Sequence, residues 1–307
     1  MRTTAEYQPI DRDNDVKINT GFAPDSQNRI HRGLDLSDLT KMTPTEIDAF
    51  KAHYAKQFGT AHSGLDWWID QNQEVLKRYR LFGSLSLPVV PRTMGHGYIA
   101  YYSLLGFETG VRYCVHSGQQ AGLSKAQSLE TIAMAFMHCG PRGMELIANA
   151  LSDYEWIEQP DNPAKFPDGW AVDREAFASG LDFSDPVMSS AELGMLRDWY
   201  QENYGEIPCY VDFLGRYKPE LLKGYRNRFE NTLYHLPKQM WPTTQLFFAC
   251  LSRNREGIRE NVLLAKAFGV AKSDVLTIIG NSLVYGEMEA AELVQRSAGD
   301  IFEAWAD

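Results

Sequence analysis

The sequence predicts an all-α protein made of two tandem helical bundles. Three observations predict it. The 307-residue chain resembles itself at an offset of 146 to 147 residues. Helix-capping sequences open equivalent segments of both copies. Strand signals, short alternating runs between turn residues, are sparse.

The repeat is read by sliding the chain over itself. Met42 to Arg80 falls on Met188 to Arg226, with ten of 39 positions identical. Among them are Glu46/Glu192, Tyr54/Tyr200, Gly59/Gly205, Lys77/Lys223, Tyr79/Tyr225 and Arg80/Arg226. After one inserted residue, Gly110 to Ile132 falls on Gly257 to Ile279, with seven identities in 23. The implied division is an extended arm over 1–41, a first repeat over 42–152, a connector over 153–187 and a second repeat over 188–307.

Each repeat reads as helical in order. Thr43-Pro44-Thr45-Glu46 is a capping box with proline at the first helical position, and Ser189-Ser190-Ala191-Glu192 stands in the same register. The two following segments stop near Gly59 and Gly205. A second helix centres on EVLKRYR in one copy and ELLKGYR in the other. A third precedes Gly122 and Gly269. A fourth opens at Ser124-Lys125-Ala126-Gln127, with Leu129, Ile132, Ala133 and Phe136 at helical spacing as its buried face. Its counterpart runs through Val275, Leu276, Ile279 and Leu283. The connector is rich in Pro, Asp and aromatics. Its Trp156, Trp170 and Phe183 predict packing on the body or on a neighbouring subunit.

Composition bounds the function. Forty acidic against thirty basic residues give a net charge of −10, which disfavours nucleic acid or an anionic membrane as partner. The four cysteines form no CxxC pair, which fits a reduced, cytoplasmic protein without a disulfide framework. The first residues lack the apolar core of a secretory signal. No stretch is long and apolar enough to predict a membrane span. Phosphate-loop, dinucleotide and HExxH patterns are absent, so neither a metal nor a cofactor is expected.

The third and fourth helices of each copy resemble the carboxymuconolactone decarboxylase family, related to the alkylhydroperoxidase-D-like fold. The family pattern is approximately E-L-x-x-H-x-x-x-A-x-x-x-G-[LV]-[ST], followed sixteen residues after that glycine by Tyr-x-Gly. Copy two reads Ile258, Asn261, Ala265, Gly269 and Val270, then Tyr285-Gly286-Glu287. Copy one reads Val111, Cys114, Gly118, Gly122, Leu123 and Ser124, then His138-Cys139-Gly140. The resemblance implies an all-α fold that assembles into trimers or hexamers. For a tandem chain it implies a homotrimer of pseudo-hexameric form. Two departures are informative. The family histidine position holds Cys114 and Asn261, and the redox CxxC of the peroxidase branch is missing from both copies.

The candidate residues follow. His138 stands at the family tyrosine position, before Gly140-Pro141, and is a candidate proton donor. His96, after a Pro-rich turn, is a second. Cys114 is read as a pocket-lining group, a small core residue or a nucleophile; the last requires a lowered pKa. Arg112 and Arg259, retained in both copies, suit a substrate carboxylate or a salt bridge. His116, Asn261 and Tyr285 complete the expected substrate-binding set. Cys114 and His116, two apart on a helix, are not expected to face one metal. The leading expectation is a cofactor-independent, decarboxylase-like lyase acting on a small carboxylated ring-cleavage or lactone-type substrate. A thiol-dependent peroxidase and a non-catalytic binding protein are the alternatives.

Overall fold

The computed structural model describes residues 30–59, 63–85 and 97–306. Among them are twelve α-helices and one two-residue antiparallel hairpin, β1 (Ile30–His31) with β2 (Leu34–Asp35). The protein is all-α. No helix among the described residues is long and apolar enough to cross a membrane.

The first half contains α1 (Pro44–Phe58), α2 (Ser63–Gln71), α3 (Gln73–Leu85), α4 (Gly97–Leu105), α5 (Glu108–Gln120) and α6 (Lys125–Ala150). The second contains α7 (Ser190–Tyr204), α8 (Cys209–Tyr217), α9 (Pro219–Glu230), α10 (Met240–Leu251), α11 (Arg255–Ala267) and α12 (Lys272–Ala304). Capping boxes are formed at Thr43/Glu46, Ser124/Gln127 and Ser189/Glu192. Gly59 and Gly205 end α1 and α7 in the left-handed region, at φ 77° and 71°. That geometry lets each amide bond back to a carbonyl of the last turn.

Interactions recur at the repeat offset. Lys77 and Lys223 are buried lysines. Lys77 pairs with Glu46 at 2.8 Å and donates to the Asp38 and Lys41 carbonyls. Lys223 pairs with Glu192 at 2.6 Å and donates to the Val187 carbonyl. A buried ammonium needs such partners to offset its lost hydration. The likeness also starts earlier than the sequence division placed it. Gly33-Leu34-Asp35-Leu36-Ser37 and Gly180-Leu181-Asp182-Phe183-Ser184 make the same Asp-to-Ser turn. Asp35 and Asp182 then donate their amides to Glu46 and Glu192. The described part of the expected arm is therefore folded onto α1, with Leu34 and Leu36 buried beside Phe50.

The connector packs on its own chain. Gln119 exchanges two hydrogen bonds with the Ile157 backbone, at 2.9 and 3.1 Å. Phe177, in a single 3-10 turn, is buried against Phe229, Trp241 and Phe268. Trp156, Trp170 and Phe183 also pack on the apolar clusters.

The halves meet where α4 packs on α10. Gly97 permits that approach: a Cβ there would lie 2.8 Å from the Thr244 carbonyl and from Phe247. Glu130 of α6 adds a clasp, accepting the amides of Tyr234, His235 and Leu236 from the second half.

One expectation needs correction. Leu129 does not point into the core; it and Leu276 are exposed at equivalent positions of α6 and α12, while Met134 and Ala135 fill the buried face. Gly140, before Pro141, leaves the helical region at φ 56°, ψ −164° and so breaks α6 into two helical segments, the second running to Ala150. Glu287 kinks α12 at the equivalent place, with φ 55°, ψ −168°.

Candidate functional site

Each kink follows two residues after a side chain that crosses to the other half. In α6 this is His138; in α12 it is Tyr285. His138 Nε2 donates to Gln245 Oε1 of α10, and its ring lies 4.3 Å from that of Phe248. Tyr285 packs on Tyr98 of α4 with ring centroids 4.9 Å apart. Tyr98 and Gln245 are themselves separated by the repeat offset. The result is two pseudo-equivalent notches, each completed by the opposite half.

The first notch is a cluster of phenols around a thiol. Tyr79 of α3 and Tyr98 and Tyr102 of α4 gather about Tyr285, whose ring meets that of Tyr98. Tyr98 and Tyr102 stack at 5.8 Å. Burial, then the neighbouring Tyr285, holds the Tyr98 and Tyr102 hydroxyls far above the usual phenol range. Burial likewise pushes the Cys114 thiol up. These groups are protonated donors near neutral pH, and Cys114 is not poised as a thiolate. Arg80, almost fully buried on α3, is the cation whose field opposes the shifts of Tyr79 and Tyr285.

The second notch is a shallow, closely packed crevice lined by His138, Thr244, Gln245 and Phe248. Burial lowers the His138 pKa, while the Gln245 hydrogen bond opposes the change. His138 is therefore a neutral imidazole near pH 7, with its outer edge open to solvent. The buried Thr244 hydroxyl has no hydrogen-bond partner among the described residues.

Other predicted residues have structural partners. Arg112 pairs with Asp153 at 2.5 Å and donates to the Ala150 carbonyl. Arg259 makes the matching contacts with Asp300 and the Ser297 carbonyl, and also pairs with Glu206 at 2.7 Å. These bonds, equivalent through the repeat, account for the retained arginines and tie the long helices down. His116 faces the Gly59 end of α1, with the Tyr154 hydroxyl 3.4 Å from its Nδ1. It is not beside Cys114. Asn261 is occupied on its own helix, donating to the Gly257 carbonyl at 2.7 Å. His96 lies outside the described residues.

Tyr79, Tyr98, Tyr102, Arg80 and Gln245 were not singled out as site residues by sequence reasoning. Tyr79 and Arg80 had left a signal, since both recur as Tyr225 and Arg226. Tyr98 and Gln245 differ between copies and only packing identifies them. No trio of His, Cys, Asp or Glu among the described residues is placed to hold a metal ion.

Fold and site together define an all-α protein with two repeat-related polar notches at the contact of its halves. No family model, curated protein or solved structure matches the chain.

Proposed function

We propose that the chain is a tandem alkylhydroperoxidase-D-like protein acting as a cofactor-independent, decarboxylase-like lyase on a small carboxylate. The observation that carries the proposal is the Tyr79/Tyr98/Tyr102/Tyr285 cluster beside Arg80 and a protonated Cys114. Loss of carbon dioxide leaves an electron pair that must be held as an enolate. Neutral phenols can donate hydrogen bonds to such a developing oxyanion, and fixed positions avoid reorganisation during the reaction. Arg80, rather than Arg112 or Arg259, gives this notch its positive charge and would draw in an anionic substrate. The C–C bond to the departing carboxylate breaks, the pair moves onto the enolate oxygen, and a phenol or water returns a proton to carbon. A raised thiol pKa disfavours the thiol-peroxidase alternative.

The exposed apolar residues support a homo-oligomer, proposed as a trimer. Trp67, Val75 and Tyr79 on α2 and α3 recur as Phe213, Leu221 and Tyr225 on α8 and α9, all solvent-exposed in the single chain. Large exposed apolar patches commonly mark association surfaces.

The test is incubation of purified protein with small lactone and ring-cleavage carboxylic acids, followed by measurement of carbon dioxide. Release that is lost in Tyr285→Phe supports the reading. Release unaffected by Tyr285→Phe, Arg80→Gln and His138→Ala together, or none with any substrate of this class, overturns it.

A further inference from the structure

The two exposed apolar faces differ in charge. α2 and α3 expose Trp67, Trp68, Val75 and Tyr79; the matching face of α8 and α9 exposes Phe213, Tyr217, Leu221 and Tyr225. Within α2 and α3, Asp66, Asp70 and Glu74 are exposed against a single exposed cation, Arg78, because Lys77 and Arg80 are buried. From Cys209 to Glu230, Arg216, Lys218 and Arg228 are exposed against Asp212 and Glu220, with Lys223 and Arg226 buried. Asp70 and Arg216 occupy the same repeat position, as do Asn72 and Lys218. Asp70 lies one helical turn from Trp67, and Arg216 one turn from Phe213, so these charges border the apolar faces. One face is acidic and its counterpart basic.

Both faces are exposed in the single chain, so they do not cover each other. Like-on-like contact between two copies would bury the apolar residues but set acid against acid and base against base. Contact of the first face with the second buries the same residues and matches the charges. Such a head-to-tail contact, repeated from copy to copy, closes into a ring, of which the trimer proposed above is one. The first face also carries the mouth of the phenol notch. Tyr79 belongs to both and is 41 % exposed; Tyr285, 37 % exposed, stands on α12, which packs on α3.

We propose that α8 and α9 of a second copy dock on α2 and α3, basic face on acidic face, and roof the first notch over Tyr79 and Tyr285. Each copy then supplies a notch of its own and the roof of its neighbour's. The roof excludes water at the phenols, where a lower dielectric strengthens their hydrogen bonds to a charged substrate. The role given to the roof rests on the lyase reading; the docking itself does not, because assembly needs no turnover.

The experiment is sedimentation of the intact protein, of Trp67→Asp and Phe213→Asp separately, and of the two variants mixed in equal amounts. Every contact in this arrangement joins a first face to a second, so either substitution alone removes all contacts. The expected result is a larger assembly for wild type, a monomer for each variant and a one-to-one dimer for the mixture. The dimer's single contact joins the intact α2 and α3 of Phe213→Asp to the intact α8 and α9 of Trp67→Asp. Asp70→Lys, at an exposed position, is a second probe. It should weaken assembly about tenfold or more, whereas like-on-like docking would tighten. Hydroxyl-radical labelling should find Tyr79 protected in the wild-type assembly and reactive in both monomeric variants. A monomeric wild type, a single variant that still assembles, a mixture that stays monomeric or tighter assembly of Asp70→Lys overturns the docking. Equal labelling of Tyr79 in assembly and monomer overturns the roof. Assembly with the expected pattern but without carbon dioxide release removes the lyase reading and supports the docking.

Discussion

His138 of the first half donates a hydrogen bond to Gln245 of the second, across the boundary between the repeats. Its counterpart Tyr285 reaches back to Tyr98. A single half therefore contains neither complete notch. This arrangement ties any chemistry to the association of the two copies.

The kinks give a direct stability prediction. Glu287 occupies a backbone region essentially reserved for glycine, whereas α6 places Gly140 there. Glu287→Gly should raise unfolding free energy by about 1 kcal/mol, and Gly140→Ala should lower it by about 1–3 kcal/mol. Among the described residues, nothing beyond the local backbone stands within 4 Å of a Cβ added at Gly140, so its cost comes from backbone conformation. Urea denaturation of both variants checks the pair.

Lys77 and Lys223 should be equally intolerant of truncation. Lys77→Ala or Lys223→Ala leaves Glu46 or Glu192 and the facing carbonyls without their shared cation. Each should cost about 3–5 kcal/mol, as for one partner removed from a buried pair. Chemical denaturation measures this; losses below about 1 kcal/mol would contradict the assigned role.

In the first notch, the role of phenol and thiol can be separated. Tyr285→Phe removes one donor and should lower turnover about 10²–10³-fold, by comparison with loss of an oxyanion donor. Cys114→Ser should keep turnover within about tenfold, because the thiol is held protonated. Carbon dioxide release at saturating substrate provides the readout.

Glu260 should leave a signature in stability against pH. Burial, and then the neighbouring Glu256 and Glu206, raise its pKa in the folded protein to about 8, above the ordinary 4.5 of a glutamate. The folded state therefore retains a proton that the unfolded state has lost between these values. This contribution is fully present below about pH 4.5 and falls away as pH rises toward about 8. Thermal melts across that range should show the decline, and Glu260→Gln should flatten it.

The matched apolar faces predict assembly. Trp67→Asp and Phe213→Asp change exposed residues of α2 and α8, so the monomer fold should survive. Sedimentation should show a smaller species for the double variant. An unchanged mass would remove this face as the interface.

The sequence by itself determined the helices and their repetition. Capping boxes and turn glycines act within a few residues, so Thr43/Glu46, Ser189/Glu192, Gly59 and Gly205 are legible locally. The paired Lys77/Lys223 and Arg112/Arg259 recur because each half must satisfy the same buried or tethering contacts. Tertiary structure alone decided the site. His138 meets Gln245, and Tyr285 meets Tyr98, because α4 packs on α10 through the gap left by Gly97. The raised pKa of Glu260 is also recognisable only after folding, since burial is its first cause. Helix signals are carried by neighbours in the chain, whereas desolvation and charge depend on neighbours in space.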